Sequence, residues 1–274
     1  MAIITIYQGA SGSGEELADA VAQALGYGHV SREVLIQASL QYEIPEAKLS
    51  EITERDPHWW QRFLQDLKPY RLALQAAFCE LAENANGIVY HGHLGHELLP
   101  HFKHVIKVLL TAPMEMRIEQ VRQRQNLSEA AARRYVEEVD KARTSRLKSL
   151  FDTDWRDPSR YDLVVNLGRM SVTSARRLIV ETSRLPEYEM TADSKQAFLD
   201  FSLGTRVRAS LALSENLGGA MIDIKASNGE VYASGIMPRW ITEEGIVTQI
   251  KQLRGVKDVK TDLVSAPLDL SFGA

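Results

Sequence analysis

The chain has 274 residues, a length that suits one big domain or a medium domain with a small companion, and its composition, 45% hydrophobic and 25% charged, is that of a soluble globular protein. Its 32 basic and 36 acidic side chains leave a formal charge of -4, so no nucleic-acid or anionic-membrane surface is expected. One cysteine, Cys79, excludes an internal disulfide and a cysteine metal cluster within the chain, and it reads as a small buried hydrophobe.

In chain order, Ile3 to Tyr7 predicts a buried strand. A glycine-rich turn, Gly9 to Gly14, follows. The helix after it, Glu15 to Leu25, places Leu17, Val21 and Leu25 on one face, and Gly26 supplies a C-cap. Strand, glycine turn and helix in that order open a parallel α/β domain. From Glu46 to Ala85 the pattern is mostly helical, with breaks or starts at Pro57 and Pro69; the stripe Trp59, Trp60, Phe63 and Leu67 reads as a buried helical face. Gly87 to Tyr90 reads as a further strand, and His104 to Leu110 is almost continuously apolar, as buried parallel strands are.

Met114 to Gln125 and a segment capped by Ser128 and running to Leu150 predict two helices. The strand Tyr161 to Asn166 and the helix Ser171 to Ser183 come next, and Leu185 to Ser194 reads as a linker around Pro186. A helix over Lys195 to Ser214, two alternating segments joined by Asn228-Gly229, a helix over Thr242 to Leu253 and a strand over Val256 to Val264 make a small α-β-β-α-β unit. The expected fold class is therefore α/β: a parallel sheet flanked by helices over residues 1–184, then the small domain over 195–274. No basic leader with a long apolar core stands at the start and no apolar run approaches a membrane span, so a cytoplasmic setting without membrane contact is expected.

The stretch Gly9-Ala10-Ser11-Gly12-Ser13-Gly14-Glu15-Glu16 has the G-x-x-x-x-G gap of a phosphate loop. Its glycines let successive backbone N–H groups and the following helix start face phosphate oxygens. The lysine and hydroxyl positions of that motif hold Glu15 and Glu16, which removes the usual cation and magnesium-binding hydroxyl. Between Pro113 and Lys148, nine basic residues oppose six acidic ones, a local excess suited to a migrating phosphoryl group. Within that run Asp140 and Arg143 share a helical face, where the carboxylate can fix an arginine or form an ordinary surface pair. Arg32, in Ser31-Arg32-Glu33, falls near the mouth of the sheet, where an acceptor phosphate can bind. Five of the seven histidines lie between His91 and His104, but without regular ligand spacing; no metal site is expected, and His93 reads as a contact to a substrate anion or base.

Together these features resemble the cytidylate-kinase-like family of P-loop proteins, relatives of nucleoside monophosphate kinases. The likeness covers roughly residues 1–184 and is carried by Ile3-Ile4-Thr5-Ile6, the Gly9 to Gly14 turn, Leu25-Gly26-Tyr27, Ser31-Arg32-Glu33, Ala112-Pro113-Met114-Glu115-Met116-Arg117, Asp140-Lys141-Ala142-Arg143 and Asp154 to Asn166. It implies ATP with Mg2+ at the glycine turn and a mobile arginine-bearing lid. Arg117, Arg124 and Arg143 would approach the nucleotides, and Arg32 the acceptor monophosphate. Three positions depart from the family: Ser31 where it often has Asp, Gly92-His93-Leu94 where it commonly has Gly-Arg-Gly, and Glu15 where relatives without the lysine tend to carry arginine. Residues about 200–265 resemble a BON domain, through Asn228 to Gly235 and Leu253 to Val259; its expected contact is a small ligand, the rest of the chain, or a second copy in a homo-oligomer. Two functions stay open: ATP-dependent phosphoryl transfer to a nucleoside monophosphate or related small acceptor, and a weakened or inactive kinase-like sensor of a nucleotide or small phosphorylated ligand that controls the small domain.

Overall fold

In the structure, a computed structural model, residues 2–9, 13–54, 67–92, 94–214 and 221–266 are described. Strands β1 (Ile3–Gln8), β2 (Gly28–Val30), β3 (Ile88–His91), β4 (Val105–Thr111) and β5 (Leu163–Asn166) form one parallel sheet in the order β2-β3-β1-β4-β5. Every residue of β1 is buried because helices cover both faces of the sheet. Alternation sends Ile4 and Ile6 into one core with Leu17, Val21, Val89 and Ile179, and Ile3 and Tyr7 into the other with Phe78, Ile88 and Leu109. Helices α1 (Gly14–Leu25) and α8 (Val172–Thr182) build the first core; α2 (Glu33–Tyr42) and α4 (Leu67–Asn84) build most of the second.

Gly26 ends α1 in the left-handed region, at φ 66°, as the C-cap reading requires. Between α2 and α4 lies α3 (Glu46–Glu54), and between β3 and β4 the single turn α5 (Gly95–Leu98). The stripe of Trp59, Trp60 and Phe63 and the break at Pro57 lie outside the described residues. Pro69 falls in the first turn of α4, where a missing N–H costs nothing.

Helices α6 (Met114–Gln125) and α7 (Glu129–Phe151) form an antiparallel hairpin, closed by Ile118 and Val121 against Ala132 and Val136. Left-handed Asn126, at φ 53°, stops α6, and Ser128 caps α7 by accepting from Ala131 N–H at 3.3 Å. The segment read as a linker contains a single 3-10 turn and then the capping box Thr191–Ser194, which starts α9 (Ala192–Leu213). This helix serves both cores: Phe198 enters the core of the large sheet, while Leu203, Val207 and Leu211 enter that of the small domain. There β6 (Met221–Ser227) and β7 (Glu230–Met237) pair antiparallel across Asn228-Gly229, both at positive φ. Helix α10 (Glu243–Lys251) then returns the chain to β8 (Asp258–Ser265), parallel to β7. Among the described residues no helix is long and apolar enough to cross a membrane.

Candidate functional site

Strand β1 delivers Gln8 and Gly9 to the carboxyl edge of the sheet, and Ser13 and Gly14 start α1 beside them. Ligands of open α/β sheets bind at this edge, and the free N–H groups of a helix start add positive partial charge. Glu15 and Glu16 are exposed in the first turn of α1, where a carboxylate complements the helix dipole. Their charges therefore face solvent and stabilise the helix locally.

Cations reach the turn from the hairpin. Arg143 of α7 donates through Nη1 to the backbone carbonyl of Gln8. One turn earlier, Asp140 accepts from Arg117 Nη2 of α6 at 2.7 Å, with both side chains largely buried. A Cβ on Gly9 would lie 3.0 Å from Arg117 Nη2, 3.1 Å from Asp140 Oδ1 and 3.2 Å from Trp155 Cη2, so a larger residue would crowd the hairpin where it closes on the turn. Trp155 is fixed there by its Nε1–H bond to Thr144 Oγ1, 3.0 Å, and by the Tyr7 ring, 5.5 Å away. Burial lowers the pKa of Arg143, while Tyr7 and Asp140 oppose the shift; a guanidinium stays charged throughout the accessible range. A cavity of about 270 Å³ opens between Gly9, Thr111, Ala112, Arg117, Asp140 and Trp155.

Other predicted site residues are placed differently. Arg124 is exposed in the last turn of α6, about 10 Å along the axis from Arg117 by the rise of an α-helix. Arg32 lies at the start of α2 and bonds Glu46, Nε to Oε1 at 2.8 Å, so its guanidinium is directed to α3. Ser11, Gly12 and His93 lie outside the described residues. The histidine cluster does not converge: among the described residues no group of three or more His, Cys, Asp or Glu side chains is arranged to hold a metal ion. His96 is instead packed between Tyr7 and Tyr161, with centroids 4.4 and 5.3 Å away, and burial pushes its pKa down to about 3. The sequence does not single out Gln8 or Trp155, and it marks His91 only as one of the histidine-rich stretch. Trp155 stood inside the Asp154 to Asn166 resemblance, whereas nothing in the strand pattern marks Gln8.

Residues 3–169 match the model of the cytidylate kinase-like family, and residues 200–267 match that of the BON domain. The chain belongs to the cytidylate kinase-like family. Among its relatives, the cytidylate kinase of Halobacterium salinarum is 25% identical over 181 residues, 65% of this chain and 88% of the relative. That of Natronomonas pharaonis is 26% identical over 179 residues, 65% and 86% of the two chains. The cytidylate kinase of Methanopyrus kandleri is 36% identical over a shorter stretch of 80 residues, 29% of this chain and 41% of the relative. Of solved structures, an uncharacterized protein from Eubacterium ventriosum shares the fold with a TM-score of 0.53 at 19% identity, covering 66% of this chain and 97% of its own. As a cytidylate kinase-like protein with a C-terminal BON domain, the chain joins a P-loop kinase scaffold to a second, smaller module.

Proposed function

We propose that the chain binds ATP at the Gly9 to Gly14 turn and transfers a phosphoryl group to a nucleoside monophosphate or a related small acceptor. The observation that carries this reading is the meeting of Arg117 and Arg143 at the Gln8–Gly9 edge, beside the start of α1. The start of α1 suits a phosphate chain: Gly14 lies so close to Gln8 and His91 that a Cβ would strike both, which holds the helix start and its free N–H groups against the sheet edge beside Gly9. Bound ATP with Mg2+ would supply the activated phosphoryl group. Arg143 and Arg117 balance the charge spread over its oxygens, Asp140 holds the Arg117 fork in place, and Trp155 walls the cleft from water. Among the described residues no group of three or more carboxylate, His or Cys side chains is arranged to hold a metal ion, and Mg2+ would enter with the phosphates of the nucleotide. Ser11, Gly12 and Ser13 complete the cradle in this reading, Glu15 and Glu16 flank it, and Arg32 and His93 face the acceptor. For Arg32 this requires release from Glu46.

The test is to incubate the purified protein with ATP, Mg2+ and a panel of monophosphates that includes CMP. Phosphorylated acceptor is expected above the level of an Arg143→Met control. A second reading, a sensor that binds nucleotide without transfer, is favoured by the solvent-facing Glu15 and by the Arg32–Glu46 pair. Calorimetric nucleotide binding without product would select it. In either case residues 1–184 and 195–274 are the two units we assign, with α9 joining them.

A further inference from the structure

A diagonal of polar side chains crosses the sheet face beneath α1. His29 of β2 is in register with Val89 of β3, and His91 lies two residues on, hence on the same face. His91 is in turn in register with Ile6 of β1, two residues before Gln8. The upper end of the diagonal meets the glycine turn: a Cβ built on Gly14 would lie 2.5 Å from His91 Nε2 and would also strike Gln8 Oε1. At its lower end His29 Nδ1 contacts Asp19 Oδ1 of α1 at 2.5 Å, and His29 Nε2 is buried without a partner. The imidazole of His91 therefore rests against the last glycine of the turn. A phosphate loop places its lysine directly after that glycine, and here the position holds solvent-facing Glu15.

We propose that His91 takes up a proton when a polyphosphate occupies the turn, so that its imidazolium supplies positive charge missing at the Glu15 position. This rests on the reading that the turn binds phosphate. The groups that act on His91 are Asp19 and the Gly14 backbone from α1, His29 from β2, Gln8 from β1 and Arg143 from α7. Without ligand, burial first, then His29 and Arg143, hold its pKa down to about 4 against the opposing Asp19, and the ring is neutral at pH 7. A polyphosphate brings several negative charges to the same place. One opposite charge within ~4–6 Å moves a pKa by about 1–3 units toward the charged form. The proton comes from solvent and forms an N–H bond on the ring.

The test is calorimetry of ATP and of inorganic tripolyphosphate, without Mg2+, on the full chain and on His91→Gln, between pH 5.5 and 7.5 in buffers of different ionisation enthalpy. Both probes titrate themselves, so the difference between the two proteins isolates His91. Wild type should take up more protons than His91→Gln, and its affinity advantage should grow as pH falls, by up to about tenfold per pH unit in the limit of one coupled proton. Histidine NMR of the wild type needs no variant: one of the seven imidazoles should titrate near 4 without ligand and move upward when tripolyphosphate is added. Equal proton uptake in both proteins, or seven histidines unmoved by a probe that binds, overturns the role of His91 and leaves phosphate binding standing. Binding of neither probe overturns both.

Discussion

Arg143 has its charge at the turn because α7 buries it against the Gln8 carbonyl, a bond whose acceptor is backbone and hence blind to sequence pattern. Arg143→Met should cut phosphoryl transfer about a hundredfold or more, the usual scale for losing one fixed charge donor, while Arg124→Met should cost far less; initial rates with the best acceptor decide it. Gly9→Ala should weaken ATP binding, because its methyl meets Arg117, Asp140 and Trp155 at 3.0 to 3.2 Å, and a titration would read the loss. His96 predicts a pH effect on stability. Its ordinary value is 6.5 and its folded value about 3, so between these the unfolded chain binds more protons and stability falls as pH falls. The slope approaches about 1.4 kcal/mol per pH unit for one such histidine, and unfolding midpoints from pH 7 to 4 should drop less steeply in His96→Gln.

The α6–α7 hairpin was the most legible element, since Asn126 and Ser128 punctuate it in the sequence and also in the chain. Ser128→Ala should destabilise the protein by about 1 kcal/mol through loss of the cap, read by denaturant unfolding. β2 was not legible: it is three residues long, only Val30 is buried, and pairing with β3 holds it in place. The histidine-rich stretch lacks ligand spacing in the sequence, and no metal site is expected of it. Among its described members His91 ends β3, His96 lies in the short α5 and His104 directly precedes β4, so nearness in sequence did not become convergence among them.

At the scale of the molecule, Arg206 of α9 ties the two modules, donating from Nη2 to Glu83 of α4 at 3.2 Å and from Nη1 to the Arg254 carbonyl at 2.6 Å. Both side chains are largely buried, so Arg206→Met should cost about 3–5 kcal/mol by stranding Glu83, and Arg206→Met with Glu83→Leu should recover much of it. A single variant as stable as wild type in urea would dismiss the pair as a lock. Sequence by itself determined the strand–turn–helix opening, the hairpin, the Asn228-Gly229 turn and the family, because each rests on local periodicity, backbone freedom or capping within a few residues. Only the tertiary structure decided that α9 belongs to both cores, that Glu15 faces water, that Arg32 turns to Glu46, and that Arg117 and Arg143 meet at the turn. Those outcomes depend on which distant surfaces compete for each side chain, and that competition is settled by packing across the sheet.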